Sequence, residues 1–260
     1  MLHNIKEWLK RFPIFHRAAQ RLRHKLLSYK LNPSYWIRKI IKNPTATVVQ
    51  IGSNDGCFGD PIRNVILKRK NWKALFVEPV PYLYKRLCEN YGDNKRFRFI
   101  NAAVNEGVAA DFYWVNPSAN LHIKNLPPWY DQLGSFDREH ILKHLNGVLE
   151  PYIEKTIIRG ITLSELFSTG NIKKIDLLHI DTEGYDWKIL SQLNLERYTP
   201  TMIIYEHNHL TDAEKIRSIE HLNDVYTMYS IGRDIIAIHK SIDINKYSFL
   251  RKFKGHKINA

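Results

Sequence analysis

The chain is predicted to be an α/β protein built on a seven-stranded, mainly parallel sheet with a closing antiparallel hairpin and helices on both faces. Three observations lead there. From residue 47 to about 207, short β-branched or apolar runs alternate with helical segments, the pattern of successive βα units. Val225 to Ile231 and Asp234 to His239 flank Gly232-Arg233, which reads as a hairpin. The polar clusters all fall just after the expected strands, at the carboxyl edge where open α/β sheets bind ligands.

The first unit organises the rest. Val48-Val49-Gln50-Ile51-Gly52-Ser53-Asn54-Asp55-Gly56 reads as a strand over 47–51 running into a glycine-bracketed turn. Gly52 and Gly56 permit backbone angles that a Cβ forbids and let a ligand come close to the main chain. Asp60-Pro61 starts a helix over 61–70, which closes with the cations Lys68-Arg69-Lys70. Such a turn is also found in ordinary strand-to-helix loops; the second unit favours a nucleotide-type cradle. Its strand, Ala74-Leu75-Phe76-Val77, ends in Glu78-Pro79, 26 residues after Gly52, where an acid can accept hydrogen bonds from ribose hydroxyls.

A helix follows over 81–91, from Pro81 to the residue before Gly92. Residues 97–104 are a third strand and its exit, with Asn101-Ala102 at the tip, and 111–115 is another short extended piece. Residues 116–150 are the least regular stretch, suited either to a substrate-binding lid or to a plain insertion. Residues 155–161 are extended. Thr162 with Glu165 forms a capping box for the next helix. The fourth core strand, 175–180, ends in Asp181-Thr182-Glu183-Gly184-Tyr185-Asp186, three acids within six residues. The fifth, 202–205, ends in Glu206-His207-Asn208-His209, and a helix over 212–221 precedes the hairpin.

Composition narrows the class. With 44 % apolar and 12 % aromatic residues the chain can bury a sizeable core, and no run of eighteen apolar residues would span a membrane. Two cysteines, Cys57 and Cys88, make neither a disulfide framework nor a metal-type spacing, and the N-terminus lacks an apolar signal core; a cytoplasmic location is expected. The net charge of +13 is carried by the ends. Residues 1–46 hold eleven Lys/Arg against one acid and 240–260 hold six against one, so the middle is close to neutral. Three segments are therefore expected: a basic helical N-terminal extension (1–46), a catalytic body (47–240) and a basic tail (241–260). Ile5, Trp8, Leu9 and Phe12 give the N-terminal segment an amphipathic face. Its basic side suits peripheral contact with anionic lipid or an acidic partner, or simple packing with the cations in water.

Taken together, Ile51-Gly52-Ser53-Asn54-Asp55-Gly56, Val77-Glu78-Pro79, Asn101-Ala102-Ala103-Val104, Thr162-Leu163 and His179-Ile180-Asp181-Thr182-Glu183-Gly184-Tyr185-Asp186 resemble the successive motifs of the FkbM-type methyltransferases. The resemblance covers roughly 47–210. It implies a class I, Rossmann-like methyltransferase fold, S-adenosylmethionine as methyl donor, and O-methylation of a hydroxyl on a sugar or small metabolite. Members often carry an acid two residues before the first glycine; this chain has Gln50, an amide that can still hydrogen-bond the donor's amino group.

On that footing, Gly52, Ser53, Asn54, Asp55 and Gly56 are expected to hold the methionine part of the donor. Glu78 and Pro79 are expected at the ribose, Asn101 and Ala102 at the adenine, and Asp181 and Glu183 at the donor's edge. Methyl transfer is largely a matter of alignment, with a base to take the hydroxyl proton. Asp181, His207 and Glu206, at the tips of strands four and five, are the candidates. Asp181, Glu183 and Glu206 could also offer oxygen ligands to Mg²⁺, but the sequence assigns no metal. Two rivals stay open: a nucleic-acid methyltransferase using the basic ends, and a non-catalytic interaction module. Against the first, Asn125-Leu126-Pro127-Pro128-Trp129-Tyr130 is an interrupted Asn-Pro-Pro-Tyr motif in the wrong place, and no cysteine nucleophile stands at a strand end.

Overall fold

A computed structural model describes residues 31–250, 253 and 256–258. The basic helix expected over 1–30 lies outside the described residues. The main sheet contains β1 (Thr47–Ile51), β2 (Lys73–Val77), β3 (Phe97–Ile100), β9 (Leu177–Ile180), β10 (Met202–Glu206), β11 (Tyr226–Ile231) and β12 (Asp234–His239). Its order is β11-β12-β10-β9-β1-β2-β3. The first five core strands pair in parallel, and β12 runs antiparallel between β10 and β11. The expected seven-stranded Rossmann-like sheet is therefore present. The hairpin does more than add an edge: its second strand inserts beside β10 and leaves β11 outermost.

Period-two alternation divides the strands between two cores. Val48, Ala74, Phe76, Leu177, Met202 and Ile204 face one; Val49, Leu75, Val77, Leu178, Ile203 and Tyr205 face the other. Helices α1 (Pro33–Ile40), α2 (Arg63–Lys68) and α3 (Pro81–Tyr91) contribute to the first core. Packing crosses the expected boundaries at 46 and 241. Trp36, Ile37 and Ile40 of α1 are fully buried, and Phe249, Leu250 and Phe253 join the same cluster. Lys257 makes a β-bridge to Tyr229, so the chain's end covers part of the outermost strand.

Between β3 and β9 the chain builds a second layer. The expected third strand, 97–104, breaks at Asn101-Ala102; its exit, β4 (Ala103–Val104), pairs instead with β8 (Gly160–Ile161). β5 (Ala110–Val115), β6 (Gly134–Ser135) and β7 (Ile153–Ile158) form a small antiparallel sheet. Around it, α4 (Ala119–His122), α5 (Arg138–Leu142) and short 3-10 turns give the stretch read as irregular a core of its own, centred on Val115, Tyr130, Leu133 and Ile141. This insertion is fastened to α3 by an Arg86–Asp131 ion pair of 2.7 Å. Helices α6 (Leu163–Thr169), α7 (Asp186–Leu190) and α8 (Asp212–Asn223) follow, α6 with the expected Thr162/Glu165 capping box.

Candidate active site

A pocket of about 390 Å³ opens over the carboxyl ends of β1, β2 and β9, within the ~300–1,000 Å³ range of small-molecule sites. Its floor is Gln50 to Asn54, Glu78-Pro79, Ala102 to Val104 and Asp181 to Glu183; Trp129, Gln132, Leu133, Phe136 and His144 of the insertion wall it, together with Arg233.

One half is made of main chain. Gly52 takes φ +77°, and a Cβ there would lie 1.7 Å from the carbonyl oxygen of Asp181, so only glycine lets β1 leave this close to β9. The Gly52 and Ser53 amides both donate to the Val77 carbonyl, tying the turn to β2. The Ser53 hydroxyl donates to the Gln50 carbonyl and accepts from the Val77 amide. Glu78 is buried; its two oxygens accept from the amides of Asn54 (2.7 Å) and Val80 (2.9 Å). Burial pushes its carboxyl up to about 7, against the pull of those two amides. On neighbouring strands, Gln50 Oε1 and His179 Nδ1 line the same floor and are buried without partners among the described residues. Burial lowers the His179 ring to about 4, which keeps it neutral.

Three residues expected at the donor have other work. Asp55 accepts from the amides of Cys57 and Phe58 and closes the turn. Gly56 makes room for α3: a Cβ there would meet Leu87 at 2.5 Å and Tyr91 at 2.6 Å. Asn101 is exposed and donates to the carbonyls of Glu78 and Pro79. None of the three lines the pocket, whereas Gly52, Ser53, Asn54, Glu78, Pro79 and Ala102 do.

The other half is made of charged side chains. The Asp181 amide donates to the Ile51 carbonyl, which sets its side chain at the junction of the two halves. Enclosure by the molecule, then the carboxylates of Glu206, Asp186, Glu183 and Asp234, push the Asp181 carboxyl well above its ordinary range, although the pocket mouth admits water. Asp186, the third acid of the motif, is structural. Fully buried, it accepts from the Thr182 hydroxyl and from the amides of Thr182, Gly184 and Glu206. It shapes the loop before α7. Glu183 stands at φ +52°, a sparsely populated conformation for a residue with a side chain.

Around Glu183 gather groups that sequence reasoning missed. His140 Nε2 lies 3.3 Å and His209 Nε2 3.4 Å from Glu183 Oε2, and His144 Nε2 lies 3.5 Å from His140 Nε2. Burial raises the Glu183 carboxyl, but His140, His209 and Arg233 outweigh it and hold it below its ordinary range. Burial lowers His144 and His209. Glu206 is almost fully buried: Oε1 pairs with Arg233 at 2.5 Å and Oε2 has no partner among the described residues. Burial and then Glu183 push it up to about 8.

His207 is corrected. Its amide and its Nδ1 both reach the Arg233 carbonyl, continuing the β10–β12 pairing, and it does not line the pocket. The chain then turns, with the Leu210 amide donating to the His207 carbonyl, and His209 is the histidine that reaches Glu183. The spacing of His140 and His144, four apart, was a signal in the sequence; their meeting with His209 was not.

Comparison with protein families finds the methyltransferase FkbM domain over residues 50–243. No curated protein sequence matches. Among solved structures, the FkbM methyltransferase of Methylobacillus flagellatus is similar at 11 % identity and TM-score 0.45, over 75 % of this chain and 44 % of that one. The METTL16 methyltransferase domain is similar at 10 % identity and TM-score 0.43, over 81 % and 67 %. A SAM-dependent methyltransferase of Aquifex aeolicus is similar at 10 % identity and TM-score 0.39, over 80 % and 89 %.

Proposed function

The chain belongs to the FkbM methyltransferase family, and from that premise we propose that it methylates a hydroxyl of a sugar or small metabolite, with Asp181 taking the proton. The family implies S-adenosylmethionine, which supplies an electrophilic methyl group. The main-chain half of the pocket fits that donor. Gly52 lets the ends of β1 and β9 meet at its floor, and Gln50 Oε1 is a buried acceptor without a partner among the described residues, suited to an ammonium group. His179 Nδ1 beside it is a second unpaired polar atom. Glu78 keeps lone pairs beyond the two amides it accepts, suited to ribose hydroxyls. Ala102 to Val104 offer an apolar edge for the base.

The observation that carries the reading is the place of Asp181. Its backbone touches the glycine turn, while its carboxylate lies within 4.8 Å of the Glu183 and Glu206 carboxylates in a pocket that Phe136 and His144 of the insertion also line. A carboxyl held well above its ordinary range is a better proton acceptor than an ordinary one. The apolar walls Trp129, Leu133 and Phe136 suit the face of a sugar ring, and Arg233 its oxygens.

Calorimetry with S-adenosylmethionine and S-adenosylhomocysteine tests the donor half. Micromolar binding is expected, and Glu78→Ala should weaken it ten-fold or more, about 1.4 kcal/mol. With an acceptor found from a panel of hydroxyl compounds, Asp181→Asn should lower kcat by ~10²–10³-fold and leave donor affinity within about two-fold. A wild type that binds no donor sinks the reading. An Asp181→Asn variant that loses donor affinity and keeps kcat removes Asp181 as base.

A further inference from the structure

We propose that His140 Nε2, His209 Nε2 and Glu183 Oε2 bind one divalent transition-metal ion, clasping the insertion to the strand-end loops beside the pocket. The three atoms come from α5, from the loop after β10 and from the loop after β9, and all lie within 4.8 Å of one another. Two of the separations are 3.3 and 3.4 Å. Imidazole and carboxylate ligands sit ~2.0–2.2 Å from zinc, and two such bonds at a tetrahedral angle hold their ligand atoms about 3.4 Å apart. The geometry is thus that of a coordination edge. His144 Nε2, 3.5 Å from His140 Nε2, stands ready on the same side as a further donor.

The surroundings favour a cation. Asp181 and Glu206 each bring a carboxylate oxygen within 4.8 Å of Glu183, and the Glu206 Oε2 is buried without a partner among the described residues. Arg233 is the cation that the contacts give this cluster; it pairs with Glu206 and donates from Nη2 to His209 Nε2 at 2.9 Å. Metal binding exchanges that last bond for a metal–nitrogen bond, and the Arg233 side chain, 60 % exposed, has room to turn outward. Two imidazoles in the donor set select zinc, cobalt or another first-row ion over Mg²⁺. Such an ion would join three segments that here meet through the Glu183–imidazole contacts and edge-on packing of the His140 and His209 rings. It would also give the acceptor half a Lewis acid beside Asp181.

The test uses full-length, tag-free protein stripped with a chelator. Titration with Zn²⁺ and Co²⁺ is expected to show one ion per chain with a Kd in the micromolar range or below. His140→Ala and His209→Ala should each weaken it at least 100-fold, and millimolar Mg²⁺ should not compete. X-ray absorption on the zinc-loaded wild type, which needs no variant to fold, should count two imidazoles, or three if His144 joins. No Zn²⁺ or Co²⁺ binding tighter than millimolar overturns the proposal, as does tight binding that survives the double His140→Ala/His209→Ala change. An oxygen-only shell also overturns it, by moving the ion onto Asp181 and Glu206. Donor calorimetry on the same samples reports the methyltransferase reading separately, so either can fail alone.

Discussion

At Gly52 the pocket wall is main chain, at Glu183 it is side chain, and the two halves differ in how their polarity is settled. Around Gly52 the main-chain amides of Gly52, Ser53 and Asn54 and the oxygens of Glu78 have partners, drawn from two strands adjacent in the sheet, and the atoms left for a ligand are the neutral Gln50 Oε1 and His179 Nδ1. Around Glu183 three carboxylates and three histidines from distant segments face one another, and Glu206 keeps a buried oxygen unpaired. The first half is a shape held in place before anything binds. The second is a concentration of charge that a ligand, a proton or an ion completes. A shape should fail by unfolding when it is filled, and a charge cluster should fail by titration or by loss of one partner.

Gly52→Ala is the hardest blow to the shaped half. The methyl would lie 1.7 Å from the Asp181 carbonyl oxygen, at a backbone angle that costs ~1–2 kcal/mol for any residue with a Cβ. Overpacking adds ~1–3 kcal/mol. We expect a loss of about 4 kcal/mol in urea unfolding. A variant as stable as wild type would mean that β1 and β9 can separate freely, and the idea of a preformed cradle would go.

Glu78 shows that the shaped half also contains a titrating group. Its carboxyl keeps its proton up to about 7 in the folded protein and loses it near 4.5 when exposed. Between those values folding takes up a proton, so the stability this group contributes is full below pH 4.5 and falls as pH rises to 7. Relative to Glu78→Gln, wild type should lose stability of the order of 2–3 kcal/mol across that window. Parallel stability–pH curves for the two proteins, with or without a constant offset between them, would contradict it.

In the charged half, measured at pH 9, above the value of about 8 at which Glu206 loses its proton, Arg233→Ala should cost about 1–2 kcal/mol, less than for a fully buried pair because Arg233 is more than half exposed. The loss reflects Glu206 left buried without its cation. Adding Glu206→Gln should therefore recover most of it, a non-additivity that double-mutant denaturation measures directly. If the two losses simply add, Glu206 is not charged against Arg233, and the description of this half is wrong.

The same contrast explains what could be read from the sequence. The sheet was legible because each core strand is a short apolar run closed by a polar tip. Gly52, Glu78 and Asp181 were legible because they stand at those tips, where topology alone sends them to one edge. The β12 insertion between β10 and β11 was not, since strand pairing is a long-range choice that leaves no local mark. Asp55 and Gly56 were misread for a similar reason: their partners, the amides of Cys57 and Phe58 and the face of α3, are structural, and a glycine turn looks alike whether it cradles a ligand or a helix. His140 belongs to an insertion whose fold depends on its own small core, so its meeting with Glu183 and His209 could not be deduced from spacing.

The smallest effect separates neighbours in one motif. His207 and His209 lie two residues apart after β10, and sequence favoured the first. His207 spends its Nδ1 proton on the Arg233 carbonyl at the turn of the hairpin, where its side chain is only partly buried. Replacing it with alanine removes one hydrogen bond, ~0.5–1.5 kcal/mol at most, and the carbonyl it frees still receives the His207 amide. His207→Ala should therefore keep kcat within about two-fold and the unfolding midpoint nearly unchanged. His209→Ala, by contrast, strips a partner from Glu183 and from Arg233 at once. Side-by-side kinetics of the two variants decide the matter: a His207→Ala enzyme more damaged than His209→Ala would return the catalytic role to the strand tip and empty the charged half of its third segment.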